Sequence, residues 1–222
     1  MHTCHGRVVH GRYGQRKNAR RENDRWPFSR AEALAEVEKE LGRPVSEIFS
    51  DFSDPIAAAS IAQVHRATLA ETGEEVAVKV LRPGIERAFN RDVDAFYFAA
   101  RIVDLFAPAA RRLKPMDVIE HFDGVVQGEL DLRLESAAAS EFAANTAKDE
   151  GFQLPEIRWG YSARRVMTMG WADGVPLGDN DALDAAGHDR KLLANRVLSL
   201  FLRHALRDGF FHADMHQGNL KV

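Results

Sequence analysis

Val76-Ala77-Val78-Lys79-Val80-Leu81 is the most strand-prone run in this chain, and a lysine stands inside it. Such a run reads as a β-strand whose lysine is either a solvated edge charge or a fixed cation. A second β-rich run, Ile56–Leu69, precedes it across Ala70-Glu71-Thr72-Gly73-Glu74-Glu75, a polar segment whose glycine suits a turn, so the two runs form an antiparallel hairpin. Pro83-Gly84 ends the hairpin. Ile85–Phe106 and Met116–Thr146 then carry helical spacing, divided by Pro108 and Lys114-Pro115. A third β segment spans Arg165–Met169, the turn Ala172-Asp173-Gly174 and Pro176 follow, and a last helix covers Asp189–Arg207, closed by Asp208-Gly209. Upstream, Ser29 and Glu32 make a capping box, Leu34, Val37 and Leu41 keep a helical stripe, and Gly42 and Pro44 stop it. This order predicts an α+β fold: a small antiparallel sheet with long helices over residues 29–174, then the start of a helical lobe over 175–222.

Composition sets the limits. The 222 residues are 45% hydrophobic and 28% charged, which excludes collagen-like, disordered and disulfide-scaffold classes. Cys4 stands alone and forms no internal disulfide, and no run reaches the roughly 18 apolar residues of a membrane span. The net charge of −3 is uneven: residues 1–30 hold eight Lys/Arg against two Asp/Glu, and the remainder 22 against 31. The head, residues 1–28, lacks interleaved aromatics, an amphipathic repeat and a secretory core, so it reads as a disordered or mis-framed tail with no nucleic-acid partner. A cytoplasmic chain is expected.

Three constellations carry chemistry. In Ala57-Ala58-Ala59-Ser60-Ile61-Ala62-Gln63-Val64, small residues at 57, 59 and 62 and a valine at 64 reproduce the spacing of a kinase phosphate loop, with alanine for each glycine. Backbone amides of such a loop can approach phosphates, and Lys79 on the following strand supplies a fixed cation. In Glu129-Leu130-Asp131-Leu132-Arg133-Leu134-Glu135, read as mid-helix, Asp131 and Glu135 share a face beside a buried stripe of Val126, Leu130 and Leu134. Two like charges there need a cation, and Lys79 is available; a solvated face with a Glu129–Arg133 pair is the alternative. In His212-Ala213-Asp214-Met215-His216-Gln217-Gly218-Asn219, after Gly209-Phe210-Phe211, an Asp followed five residues on by an Asn is the spacing of a phosphoryl-transfer loop, held by its apolar approach. His212, Asp214 and His216 as ligands of a metal hydrolase are the competing reading, and it leaves Asn219, Lys79 and Glu135 unexplained. A structural polar turn is the third.

Together AAASIAQVHRA, VAVKVLRPGI, ELDLRLESAAASEF, VMTMGWADGVPL and DGFFHADMHQGNL resemble the UbiB family of atypical protein-kinase-like proteins, over roughly residues 30–222. The resemblance implies a protein-kinase-like fold that uses ATP and Mg²⁺ and supports ubiquinone biosynthesis as a kinase or ATPase. It implies that Ala57, Ala58, Ala59, Ser60, Ala62 and Val64 cover the nucleotide, with Lys79 on its phosphates and Glu135 paired to Lys79. Met169 and Trp171 would flank the adenine, Asp214 would be the catalytic Asp, and Asn219 a Mg²⁺ ligand. Glu129 and Asp131 match a Glu-x-Asp pair associated with an occluded substrate pocket. Partners implied are ubiquinone-pathway proteins or lipid intermediates, with peripheral contact at the cytoplasmic face of the inner membrane. Alanine in place of glycine restricts positive φ and keeps the loop farther from phosphate oxygens, which favours a different nucleotide pose.

The sequence also departs from the family's pattern. The upstream Lys-x-Gly-Gln element is absent, with only Arg12-Tyr13-Gly14-Gln15 near it. Gly170 replaces a hinge glutamate but leaves backbone groups for an adenine, and Gln217 replaces a proline. The family's Asp-Phe-Gly and hydrophobic C-terminal segments fall after Val222, so the expectation is a fragment with little phosphoryl transfer of its own and with Phe210 and Phe211 poorly covered. Alternatives are a small-molecule phosphotransferase of the aminoglycoside or choline kinase type, which shares the HADMHQGN pattern, and a nucleotide-binding pseudokinase scaffold.

Overall fold

A computed structural model describes residues 27–211, 215 and 217–222. The basic head up to residue 26 lies outside the described residues. The folded chain starts at helix α1, Arg30–Leu41, where Ser29 Oγ accepts the Glu32 N–H and Glu32 in turn accepts the Ser29 N–H. Gly42 ends it at φ 68°, where a side chain would be strained, and its N–H closes on Glu38 O. Both ends are those predicted. A single turn, α2, Val45–Ile48, leads into the sheet.

Four strands run antiparallel in the order β1 Phe49–Ala58, β2 Ala62–Leu69, β3 Glu75–Leu81 and β4 Val166–Gly170. The predicted run Ile56–Leu69 is in fact two strands folded back at Ala59-Ser60-Ile61, a turn closed by Ala59 N–H to Ala62 O at 2.8 Å. The first half of β1 escapes a propensity reading because it is rich in Ser, Asp and Pro. Its edge position and three register irregularities tolerate that composition.

Strand alternation divides the core in two. Val76, Val78 and Val80 face the back of the sheet with Ala67, Leu69, Phe49, Phe52 and Val166, and α1 covers them with Ala33 and Val37. Ala77 and Leu81 face the front with Ala57, Ala62, Val64, Met167 and Met169, against Val126, Leu130 and Leu132. Lys79 has the parity of the front face.

The front is covered from the helical segments. α3, Ile85–Phe106, starts where predicted, after Gly84 at φ 73°. It packs along α4, Pro115–Glu129, with the Phe96 and Phe122 rings edge-on at 5.9 Å. The predicted single helix Met116–Thr146 is broken. Asp131 adopts an extended backbone and caps a new helix, α5, Leu132–Thr146, by accepting the Arg133 N–H at 3.0 Å. The break changes the phase of the apolar stripe, so Leu132 is buried while Leu134 is 59% exposed, correcting the Val126-Leu130-Leu134 stripe.

After β4 come α6, Asn180–Ala185, and α7, Arg190–Arg203, the latter capped by Asp189 and prolonged by a π turn over His204–Asp208. No helix among the described residues is long and apolar enough to cross a membrane.

Candidate functional site

The site begins as one row across the sheet. Ala57 pairs with Val64, Val64 with Lys79 and Lys79 with Met167, so three predicted site residues lie side by side on the front face. Central strands bury their side chains on both faces, and Lys79 retains only 11% of its side-chain exposure. Its ammonium therefore needs a partner. Glu135, on the first turn of α5, supplies one, with Lys79 Nζ 2.7 Å from Oε1 and 2.5 Å from Oε2.

The break before α5 makes this possible. Leu132 N–H donates to Arg164 O at 2.8 Å, tying the start of α5 to the segment entering β4. Leu132 packs into the front core and Glu135, one turn on, faces the strand. Asp131 is occupied elsewhere: Arg133 grips both its oxygens, at 2.9 and 2.6 Å, and this contact holds its carboxyl below the usual range against the opposing effect of burial. The two carboxylates thus share no helix face and compete for no cation. Glu129 is exposed at the end of α4. The pair Glu129 and Asp131 flanks the break instead of lying on one helix, and Arg133 joins Asp131 and not Glu129.

The small-residue loop sits at the β1–β2 turn. Ala57 and Ala62 are buried, while Ala58, Ala59 and Ser60 are exposed. Arg82 fastens the loop from outside, its N–H on Ile61 O at 2.8 Å and its Nε on Ser60 O at 3.2 Å.

At the far end of β4, Met169 is buried in the front core and Trp171 is half-buried. The backbone is more committed there than the sequence suggested. Gly170 N–H donates to Glu156 O at 3.0 Å and Trp171 N–H to Glu75 O at 2.9 Å, so an adenine edge at this point would rely on other backbone groups. Glu74 Oε1 lies 3.6 Å from where a Cβ on Gly170 would stand, which sets a carboxylate beside the position that lacks one. Trp171 lies between the Arg66 guanidinium at 4.7 Å and the Lys221 ammonium at 5.1 Å from its ring centre.

Asp214, His212 and His216 lie outside the described residues. The segments on either side of them are anchored. Asn219 is buried in a short 3₁₀ turn, Gln217–Asn219. The stretch after it is stitched to the chain leaving β4: Leu177 N–H meets Leu220 O at 3.0 Å, and Val175 and Val222 exchange two backbone bonds. Upstream, Phe142 holds His204 edge-on at 5.1 Å and Phe210 at 5.8 Å. Phe211 is 43% exposed, so the apolar approach is only partly enclosed.

One cluster was missed by sequence reasoning. Asp149 is buried just after α5 and accepts from Arg207 at 2.6 and 2.9 Å and from His204 Nε2 at 3.1 Å. The Arg207 hydrogen bonds keep its carboxyl below the ordinary range. The cluster ties the end of α7, just upstream of Asp214, to the end of α5. Its members are more than fifty residues apart, and nothing local in the sequence marks them.

A four-stranded sheet whose β3 lysine is paired to a helix glutamate beside a small-residue loop defines an α+β, protein-kinase-like fold. Residues 21–222 match the ABC1 atypical kinase-like domain. The chain belongs to that family. Among its relatives, a protein of Marinobacter nauticus named probable protein kinase UbiB is 42% identical over 197 residues, covering 88% of this chain and 36% of the relative. The protein of that name from Shewanella loihica is 38% identical over 229 residues, 96% of this chain and 42% of the relative. That of Azotobacter vinelandii is 42% identical over 197 residues, 88% and 36% respectively. The chain therefore spans well under half the length of these relatives.

Proposed function

We propose that this chain carries the nucleotide-binding half of an ATP-dependent kinase-like protein that serves ubiquinone biosynthesis. Residues 29–174 act as the N-lobe and 175–222 as the start of the C-lobe. The observation that carries the reading is the Lys79–Glu135 pair at 2.7 and 2.5 Å, set on the same sheet row as the Ala57–Val64 loop residues. A nearly buried lysine fixed by one carboxylate on a central strand is a poor device for stability alone, because two apolar residues fill such a space at least as well. It is a good device for presenting a cation at one place.

In this reading Ala57–Ala62 lie over the phosphates and Lys79 contacts them. Met169 and Trp171 bound the base, Asn219 offers its carboxamide oxygen to Mg²⁺, and Asp214 accepts the proton of the attacking hydroxyl or water. Mg-ATP, when bound, supplies the transferable phosphoryl group and the neutralising metal charge. The residues present fit it. The loop exposes Ala58, Ala59 and Ser60, whose small side chains leave room for phosphate oxygens, and Lys79 stands behind them with its charge already oriented. The proteins named probable protein kinase UbiB support the same assignment.

The test is titration of the chain with a fluorescent N-methylanthraniloyl ATP in Mg²⁺, competed by unlabelled ATP. Binding should be saturable, and Lys79→Met should weaken it by about tenfold or more, the scale of one charge-assisted phosphate contact. Equal affinity in the folded Lys79→Met protein would remove the reading.

A further inference from the structure

Arg82, which grips the small-residue loop, is itself gripped at its carbonyl by a buried arginine. Arg165, immediately before β4, is buried together with Glu36 of α1. Its Nε donates to Glu36 Oε1 at 2.6 Å, its Nη1 meets Glu86 at the start of α3, and its Nη2 donates to the carbonyl of Arg82 at 2.9 Å. Its backbone is engaged too, with N–H on Glu40 Oε2 at 3.2 Å and C=O accepting from Leu81 at 3.0 Å. Arg165 thus shares with the Ile85 N–H, at 3.2 Å, the carbonyl of Arg82, the residue whose own N–H and Nε grip Ile61 O and Ser60 O.

We propose that Arg165 is a positioning residue for the Ala57–Ala62 loop, acting through Arg82, and that it thereby sets the affinity for a nucleotide triphosphate. The effect on affinity rests on the nucleotide reading given above; the bracing itself does not. Three considerations support it. A guanidinium spends its donors in a fixed fork, so acceptors on α1, α3 and the β3–α3 turn are held in one mutual geometry, which an ammonium cannot match. The two carboxylate partners of Arg165, Glu36 and Glu86, lie on different helices, so one guanidinium ties α1 to α3. Strand pairing fixes the two ends of the loop, but its turn, Ala59-Ser60-Ile61, is closed by Ala59 N–H to Ala62 O and held at its Ser60 and Ile61 carbonyls by Arg82, so the placing of the turn depends on what holds Arg82. The helix on the back of the sheet is by this route mechanically joined to the loop on the front.

The experiment is amide hydrogen exchange of the chain without nucleotide, followed by titration with N-methylanthraniloyl ATP in Mg²⁺. Two variants are compared: Arg165→Lys, which keeps the charge but not the fork, and Glu86→Gln, which leaves the buried Arg165–Glu36 contact intact. In both, exchange at the Ala59 and Arg82 amides should rise, by about tenfold in Arg165→Lys and less in Glu86→Gln, with Val78 and Val80 unchanged. Nucleotide affinity should fall in the same order. Loop amides that exchange as in the wild type would overturn the proposal, and so would a rise shared equally by Val78 and Val80, which would make Arg165 a general stabiliser. If the wild-type chain binds no nucleotide, the functional reading and the effect on affinity fail, while the exchange data still decide the brace.

Discussion

Lys79 on β3 and Glu135 on α5, 56 positions apart, meet with the lysine nitrogen within 2.7 Å of both carboxylate oxygens. The lysine is nearly buried and the glutamate 38% exposed, so the two partners lose different amounts when separated. Glu135→Leu strands a buried ammonium and should destabilise the chain by about 1–3 kcal/mol, toward the lower end because water reaches Glu135. Lys79→Met combined with Glu135→Leu should recover most of that loss while binding nucleotide as weakly as Lys79→Met alone. Urea unfolding of the wild type, the Glu135→Leu single variant and the double variant, with nucleotide titration beside it, separates the stability of the pair from its function.

A glutamate at position 170 should be tolerated sterically and opposed electrostatically. A Cβ there would meet Glu74 Oε1 at 3.6 Å, and that carboxylate is already held by Arg158 at 2.7 and 3.0 Å. Gly170→Glu should therefore lower stability by about 0.5–1 kcal/mol at low salt, and Glu74→Gln in the same chain should relieve it. Thermal melts of the three proteins at two ionic strengths provide the comparison.

Exchanging Ala59 for glycine should alter nucleotide affinity without altering the fold. The Ala59 side chain is exposed while its N–H closes the β1–β2 turn on Ala62 O at 2.8 Å, so removing the Cβ frees φ and lets the backbone draw closer to a phosphate. An unchanged dissociation constant for Mg-ATP in Ala59→Gly would show that the alanines do not set the nucleotide pose.

Much of the fold was legible because its signals are local. The Ser29–Glu32 box, Gly42, the β-branched run of β3 and the bounds of α3 are written in adjacent residues and appear where expected. The break at Leu130-Asp131 escapes a sequence reading, because the apolar spacing of Val126, Leu130 and Leu134 runs straight through it and masks the preference of Asp131 for a cap. Only the docking of Leu132 and Arg164 decides between a continuous helix and a cap. For the candidate site, the partnership of Lys79 and Glu135 could be anticipated from charge need and motif order. Arg165, Asp149 and the commitment of the Gly170 and Trp171 amides could not, since each depends on residues that only the fold brings together.

Two buried histidines give stability a pH dependence of known sign. Burial lowers the His65 pKa, the Ser53 carbonyl on its Nδ1 offsetting this in part, and burial likewise lowers that of His204, against the pull of Asp149. In both cases the unfolded chain binds a proton more readily than the folded one, so their contribution is complete above the ordinary histidine pKa of about 6.5 and is lost as pH falls below it. Urea midpoints should decline from pH 8 to pH 5. His204→Gln, which keeps a donor for Asp149, should make that decline shallower.

The central claim is that Lys79 faces a nucleotide. It is tested most directly by labelling the chain with 5′-fluorosulfonylbenzoyl adenosine, an adenosine that carries a lysine-reactive sulfonyl fluoride where phosphates would lie, and mapping the product by mass spectrometry. The expected result is one principal adduct on Lys79, suppressed by excess Mg-ATP and reduced by Arg165→Lys. Adducts spread over surface lysines and indifferent to Mg-ATP, in a chain whose Lys79 stays unmodified, would contradict the account.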